Sequence, residues 1–220
     1  MDIEFHYYIT HLVAARAGFR GTDLSVLTYS SQFTDDNDRE YKIRMGRNLF
    51  YNNRISQTMD ILKPQPDRLA IYPLFHFIPG DPLAASASRV DGAIRACNTT
   101  ANSAYANQIM DESLKTNDLH QIGIATHAYV DTWAHQNFVG YHDRFNGLLG
   151  RLKAIIPSIG HADSRHQPDW SALPWPCLTP DTAHCPWRST TRQLCWSGWR
   201  SRIGSVGGDA GPRPQGMAPA

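Results

Sequence analysis

The stretch GIATHAYVDTWAHQNF, Gly123 to Phe138, constrains this chain more than any other. It reads as a helix carrying His127, Asp131 and His135 at i, i+4 and i+8. At ~100° per residue the three stay within roughly 80° of one another on one face. The rise sets the two histidines about 12 Å apart along the axis, with Asp131 midway. An ion holds its ligands at roughly 2 Å, so histidines two turns apart do not easily share one. They suit two ions, one on each histidine, with the Asp131 carboxylate bridging. Such ion pairs lie about 3.5–4 Å apart and drive phosphoester hydrolysis. Apolar Ile124, Val130, Trp133 and Phe138 flank the stripe and set it against a core. A lone helical histidine is more often an ordinary polar residue. Three ligand-type residues on one buried stripe are harder to read that way, because a buried carboxylate needs a partner.

A length of 220 residues suffices for one domain with a sizeable core. The net charge is +1 and no basic run is visible, so charge offers no argument for binding nucleic acid or an anionic membrane. No apolar run approaches the ~20 residues of a membrane span. The start, MDIEFHYY, lacks the basic and apolar parts of a signal peptide, so the expected location is cytoplasmic. Cys97, Cys177, Cys185 and Cys195 form no C-x-x-C pair, which argues against a thiolate zinc site. The ten histidines, with aspartate, are the donor set of a hydrolytic zinc site.

Taken in order, FHYYITHLVAARAGF, Phe5 to Phe19, has helical spacing with Gly18 as a stop, and His6 lies at its beginning. Read alone, His6 is an exposed terminal residue. Thr22 can cap a second helix that runs into the acidic cluster TDDND. Spacing leaves open whether Asp35 or Asp36 turns toward the metals. Residues 39–82 are broken by Pro64, Pro66, Pro73 and Pro79, which predicts irregular structure or a short hairpin. Within them His76, between Phe75 and Phe77, is either a hydrogen-bonded core residue or a ligand. DPLAASASRV suggests a short helix and ANSAYANQIMDESLKT a longer one. Asn117 and Asp118 then cap the central helix, which Gly140 ends. A further helix is expected from about Arg144 to Ile155. A loop follows with His161, Asp163, His166 and Asp169, dense in ligand types although loops are often polar for solvation alone.

After Trp170 the composition changes. Residues 171–220 contain no Tyr, Phe, Asn or Lys, yet hold four of six Trp, three of four Cys and seven of fourteen Pro. No period is visible there, which predicts a disordered tail or the product of a shifted reading frame. The expected organisation is an all-α, multi-helix metal-binding domain over 1–170 and this tail over 171–220.

The segments FHYYITHLVAARAGF, TYSSQFTDD, FHFIPG, ATHAYVDTWAHQNF and GHAD resemble an uncharacterised bacterial family of unknown function. The order of ligand types is similar to that of the zinc-dependent phospholipase C and single-strand nuclease superfamily, all-helical enzymes with three clustered zinc ions. The resemblance implies metal ligands at His6, Asp36, His76, His127, Asp131, His135, His161 and Asp163, with Asp36 as an alternative general base. Two spacings depart from that pattern: three residues separate Asp131 from His135, and one separates His161 from Asp163. The implied function is a zinc-dependent phosphoester hydrolase with a di- or trinuclear His/Asp site, acting on a small phosphoester or a phospholipid. Two alternatives stand beside it. One is a non-catalytic metal-binding or interaction protein on the same scaffold. The other is an HD-type phosphohydrolase centred on His142 and Asp143.

Overall fold

The computed structural model describes residues 2–58, 66–84, 87, 89, 92–147, 159–162, 167–169 and 200. A π-helical turn, Glu4–Ile9, leads directly into α1, Thr10–Arg16. The Thr10 hydroxyl donates to the Phe5 carbonyl at 3.0 Å, supplying a partner inside the wide turn. α2 spans Gly21–Asp36. Inside it Thr28 and Thr34 donate back to the Leu24 and Ser30 carbonyls, which lets polar side chains lie buried. The strands β1, Lys42–Arg44, and β2, Phe50–Asn52, pair antiparallel with Ile43 opposite Tyr51. After the short α3, Ile71–Phe75, come α4, Ala104–Thr116, and α5, Leu119–Ala134.

α4 and α5 are separated by two residues with distinct tasks. Asn117 takes the left-handed conformation at φ 57° and closes α4. Asp118 accepts from the His120 and Gln121 amides and opens α5. Thirteen of the sixteen α5 residues are buried, so this helix is the core rather than a cover for it. α2, α3 and α4 pack around it.

The close approach of α2 and α5 rests on Gly123. A Cβ there would stand 2.6 Å from the Leu27 carbonyl oxygen and 2.6 Å from the Ser30 Cβ, so only glycine lets the two backbones meet. Gly123→Ala is expected to cost about 1–3 kcal/mol through overpacking. Thermal melting should fall by several degrees, and an unchanged melting temperature would show the contact to be yielding.

The architecture corrects several expectations. The domain is mostly helical but not all-α, because residues 39–82 contain the β1–β2 hairpin and α3. Extended, exposed pairing there satisfies the backbone groups of a stretch that forms no helix, ahead of the prolines that begin at Pro64. α2 opens after Arg20 with no side-chain cap, so Thr22 does not serve as one. α5 ends at Ala134, well before Gly140. Asn137 turns left-handed at φ 65°, and Asn137 and Phe138 exchange backbone hydrogen bonds with Thr99, which draws the chain off the helix axis. No α-helix forms among the described residues of 81–90, and Arg144–Asn146 is only a 3-10 turn capped by Asp143. The remainder of the expected helix to Ile155, and the tail from 171, lie outside the described residues apart from Arg200. Among the described residues no helix is long and apolar enough to cross a membrane.

Candidate metal centre

The π-turn, the end of α2, the residue after α3 and the second half of α5 bring one side chain or more each to a single point. His6, Asp35, His76, His127 and Asp131 meet there. Asp131 lies at its middle with both oxygens engaged. Its Oδ1 is 3.2 Å from His6 Nε2, and its Oδ2 is 3.3 Å from both His127 Nε2 and His76 Nδ1. Asp35 faces the same rings from α2. Its Oδ2 is 3.7 Å from His6 Nε2, and its Oδ1 is 3.6 Å from both His76 Nδ1 and His127 Nε2. Each carboxylate therefore offers one oxygen to His6 and the other to the pair His76 and His127.

Three rings have their orientation set by backbone carbonyls. His127 Nδ1 contacts the Ser31 carbonyl at 2.9 Å, His76 Nε2 the Ser56 carbonyl at 2.9 Å, and His135 Nδ1 the His76 carbonyl at 2.6 Å. A carbonyl only accepts, so each contacting nitrogen carries the proton. The other nitrogen of His127 and of His76 then faces the cluster, and that of His135 faces Asp169, each placed to offer its electron pair to a cation. His127 Nε2 and His76 Nδ1 consequently face each other at 3.1 Å with two carboxylate oxygens beside them. Four electron pairs converging in a buried space are stable only around a proton or a cation.

The spacings suit a cation. Donors held about 2.0–2.1 Å from a tetrahedral ion stand roughly 3.3 Å apart, which matches these contacts. His6 supplies a second sign of fit. It is fully buried, and neither ring nitrogen makes a hydrogen bond, even with Asp131 so near. Its ring stacks on that of His127 with centroids 3.7 Å apart and planes 20° apart. Nearly parallel rings cannot both point in-plane at one ion. They can point at two ions side by side, and the stacking distance matches the separation of about 3.5–4 Å in two-metal sites.

A second group lies one helical turn beyond. His135, the residue that follows α5, places Nε2 at 3.2 Å from Asp169 Oδ1, and His161 Nε2 is 3.3 Å from the same oxygen. Phe77 stacks on the His135 ring at 4.4 Å, and Gly160, left-handed at φ 51°, lets the Phe77 ring fit beneath it. His135 Nδ1 is also 3.6 Å from Asp131 Oδ2, but that nitrogen is already committed to the His76 carbonyl.

This arrangement differs from the one expected on α5. Asp131 lies between His6 and the pair His76 and His127, not between His127 and His135. Asp36 does not join the cluster. It is exposed at the end of α2 and accepts from Gln32 Nε2 at 3.2 Å, while Asp35 takes the inward place. Asp163 lies outside the described residues, and the acid beside His161 is Asp169. Asp143 caps a 3-10 turn and pairs with Arg95, so the HD reading has no support from its position. A signal for Asp35 did exist. Leu24, Leu27, Thr28 and Ser31 are the buried face of α2, and one further turn reaches Asp35. No such period runs through the loop that holds Asp169.

Electrostatics follow from burial. Burial and the neighbouring charge of His127 push the His6 ring down to about 3. Burial lowers His135 as well. For His127 burial also acts downward, but Asp35 and Asp131 outweigh it and raise the ring. Burial alone would raise Asp131, yet the charges of His135, His127 and His6 hold it well below the usual carboxylate range. In the metal-free chain His6 stays neutral while the unfolded chain takes up a proton near 6.5. The stability this neutral ring contributes is thus lost as pH falls from 6.5 toward 3. His135 acts in the same sense. His127 acts oppositely, adding stability below 6.5 that is lost as pH rises through its raised value. His6, lowered to about 3, stays neutral across the whole window in which the unfolded ring charges, and this sets the sign as a net loss. Chelator-treated protein should melt at a lower temperature at about pH 5 than at about pH 7. A flat or rising melting temperature over that window would contradict the protonation states drawn here.

No curated protein and no solved structure matches the chain. A family model matches residues 1–192, which takes in the whole centre and continues past Trp170. The chain belongs to this family, a family of unknown function, DUF6765.

Proposed function

We propose that the protein is a metal-dependent phosphoester hydrolase with a three-ion His/Asp centre. The observation that carries this reading is the pair of two-faced carboxylates, Asp35 and Asp131, each set between His6 and the pair His76 and His127. That is the donor arrangement of two bridged ions. His135, His161 and Asp169 form the third group. Imidazole and carboxylate donors at near-tetrahedral spacing favour zinc. Bound zinc would lower the pKa of a coordinated water to about 7 and neutralise charge on a phosphoryl oxygen.

The chain's own residues do the rest. The Ser31, Ser56 and His76 carbonyls hold three rings in one tautomer, so no reorientation is needed when ligands engage. Burial of His6, His127 and Asp131 keeps bulk water from the inner side. Asp35, with its side chain 22% exposed, marks the side open to a substrate. With both oxygens turned to the ion positions, Asp35 serves here as a ligand, and Asp36, which lies outside the cluster, is not placed to act as a general base.

The test is elemental analysis of the purified full-length chain joined to a screen of phosphomonoesters and phosphodiesters, phospholipids and nucleotides included. Bound zinc with turnover that a chelator abolishes is the expected result. Zinc without turnover on any phosphoester would leave a non-catalytic metal-binding protein and sink the hydrolytic reading.

A further inference from the structure

The β1–β2 hairpin has no part in the centre, yet its surface is unusual. Every residue from Asp38 to Asn52 is exposed. The register sets Ile43 opposite Tyr51, and backbone hydrogen bonds continue it at both ends, from Met45 to Leu49 and from Asn53 to Tyr41. Alternation then gathers Tyr41, Ile43, Met45, Leu49 and Tyr51 on one face. Each is at least half exposed. The other face carries Lys42 and Arg44, with Arg47 in the turn, and Lys42 lies over the Phe50 ring at 4.6 Å. From Tyr41 to Arg54 there are four cations and no Asp or Glu, in a chain whose total is +1. Along the sequence these cations are interleaved with apolar residues and form no run; the folded ribbon gathers five apolar residues on one face and leaves Phe50 with Lys42 and Arg44 on the other.

We propose that this hairpin docks the protein on an anionic phospholipid surface. A ribbon with an apolar face and a cationic face fits the boundary of a bilayer on both faces at once. The apolar side enters the acyl boundary to a depth of about 5–10 Å while the cations reach lipid phosphates. A protein partner that covered the apolar face would leave the cationic face unmatched. The base of the ribbon is fastened rather than loose. Asn37 Nδ2 donates to the Arg54 carbonyl at 2.9 Å and to Ser56 Oγ at 3.1 Å, and Asn53 Nδ2 donates to the Arg39 carbonyl at 2.8 Å. Asn37 directly follows α2, two residues after Asp35, so docking brings the open side of the metal centre near the lipid surface. The docking itself does not depend on whether that centre hydrolyses phosphoesters.

Co-sedimentation of the full-length protein with vesicles tests this, using phosphatidylcholine alone and phosphatidylcholine mixed with phosphatidylglycerol. The protein should pellet with the mixed vesicles and release as salt rises. Combined Lys42→Gln, Arg44→Gln and Arg47→Gln should weaken partitioning by about 100-fold. Met45→Ser with Leu49→Ser should weaken it at least ~10-fold. All five side chains are exposed, so melting temperature and metal content should match the parent, which separates lost docking from lost folding. Absence of pelleting, equal pelleting with neutral vesicles, or pelleting unchanged in both variants would overturn the proposal. So would a dimer in solution that the same substitutions abolish, since a second copy would then be the occupant.

Discussion

Asp131→Asn will empty the paired site while leaving the third group able to bind. Asp131 is fully buried, and its two oxygens face different histidines. Asparagine keeps the shape but converts one ligand oxygen into an NH2 group, which donates and cannot ligate. One ion then loses a ligand outright, and the other keeps only a neutral carbonyl. The charge that offsets two dications is gone as well. Changing a residue that merely supports a ligand costs 10–100-fold in affinity, so losing a bridging ligand should cost more than ~100-fold for both ions. His135→Ala should do the reverse, removing the ion of His135, His161 and Asp169 and sparing the pair. Metal stoichiometry for the two variants beside the parent reads this directly. Full retention in Asp131→Asn would leave His127, Asp131 and His135 as an ordinary buried polar stripe.

The second large effect is on stability. Without cations the centre is a set of converging electron pairs and a neutral His6 ring that makes no hydrogen bond. Folding must bear that cost, and ion binding offsets it. At a free zinc concentration about 100 times Kd, each site adds about 2.7 kcal/mol. A domain of this size shifts by roughly 2–4 °C per kcal/mol. Three sites should therefore raise the melting temperature of chelator-stripped protein by roughly 15 °C or more. Magnesium, which prefers oxygen donors and octahedral geometry, should give little of this rise. Equal responses to zinc and magnesium would argue for a nonspecific ionic effect.

How much of this was legible in the sequence differs by element. α5 was the clearest, because its ligand types recur every four residues amid apolar neighbours, and Asp118 marks its start. The position of His135 was harder. It shares the helical spacing in sequence, yet it caps the helix, because pairing of Asn137 and Phe138 with Thr99 redirects the chain. That long-range pairing leaves no local trace. The choice of Asp35 over Asp36 was readable from the buried face of α2 but not from the acidic cluster itself. His76 was ambiguous for a physical reason: a single ring in an apolar run looks the same whether a carbonyl or an ion is its partner, and here Ser56 takes one nitrogen while the carboxylates face the other. A short hairpin was one of the two readings of residues 39–82, but its surface was hidden, because the alternation of cationic and apolar residues becomes two faces only once a register exists.

Anomalous diffraction at the zinc edge from crystals of the zinc-loaded protein is the most direct measurement of the central claim. Two peaks about 3.5–4 Å apart are expected between His6 and the pair His76 and His127, straddled by Asp35 and Asp131. A third is expected beside His135, His161 and Asp169. No anomalous peak at these residues, with zinc bound elsewhere or not at all, would contradict the account.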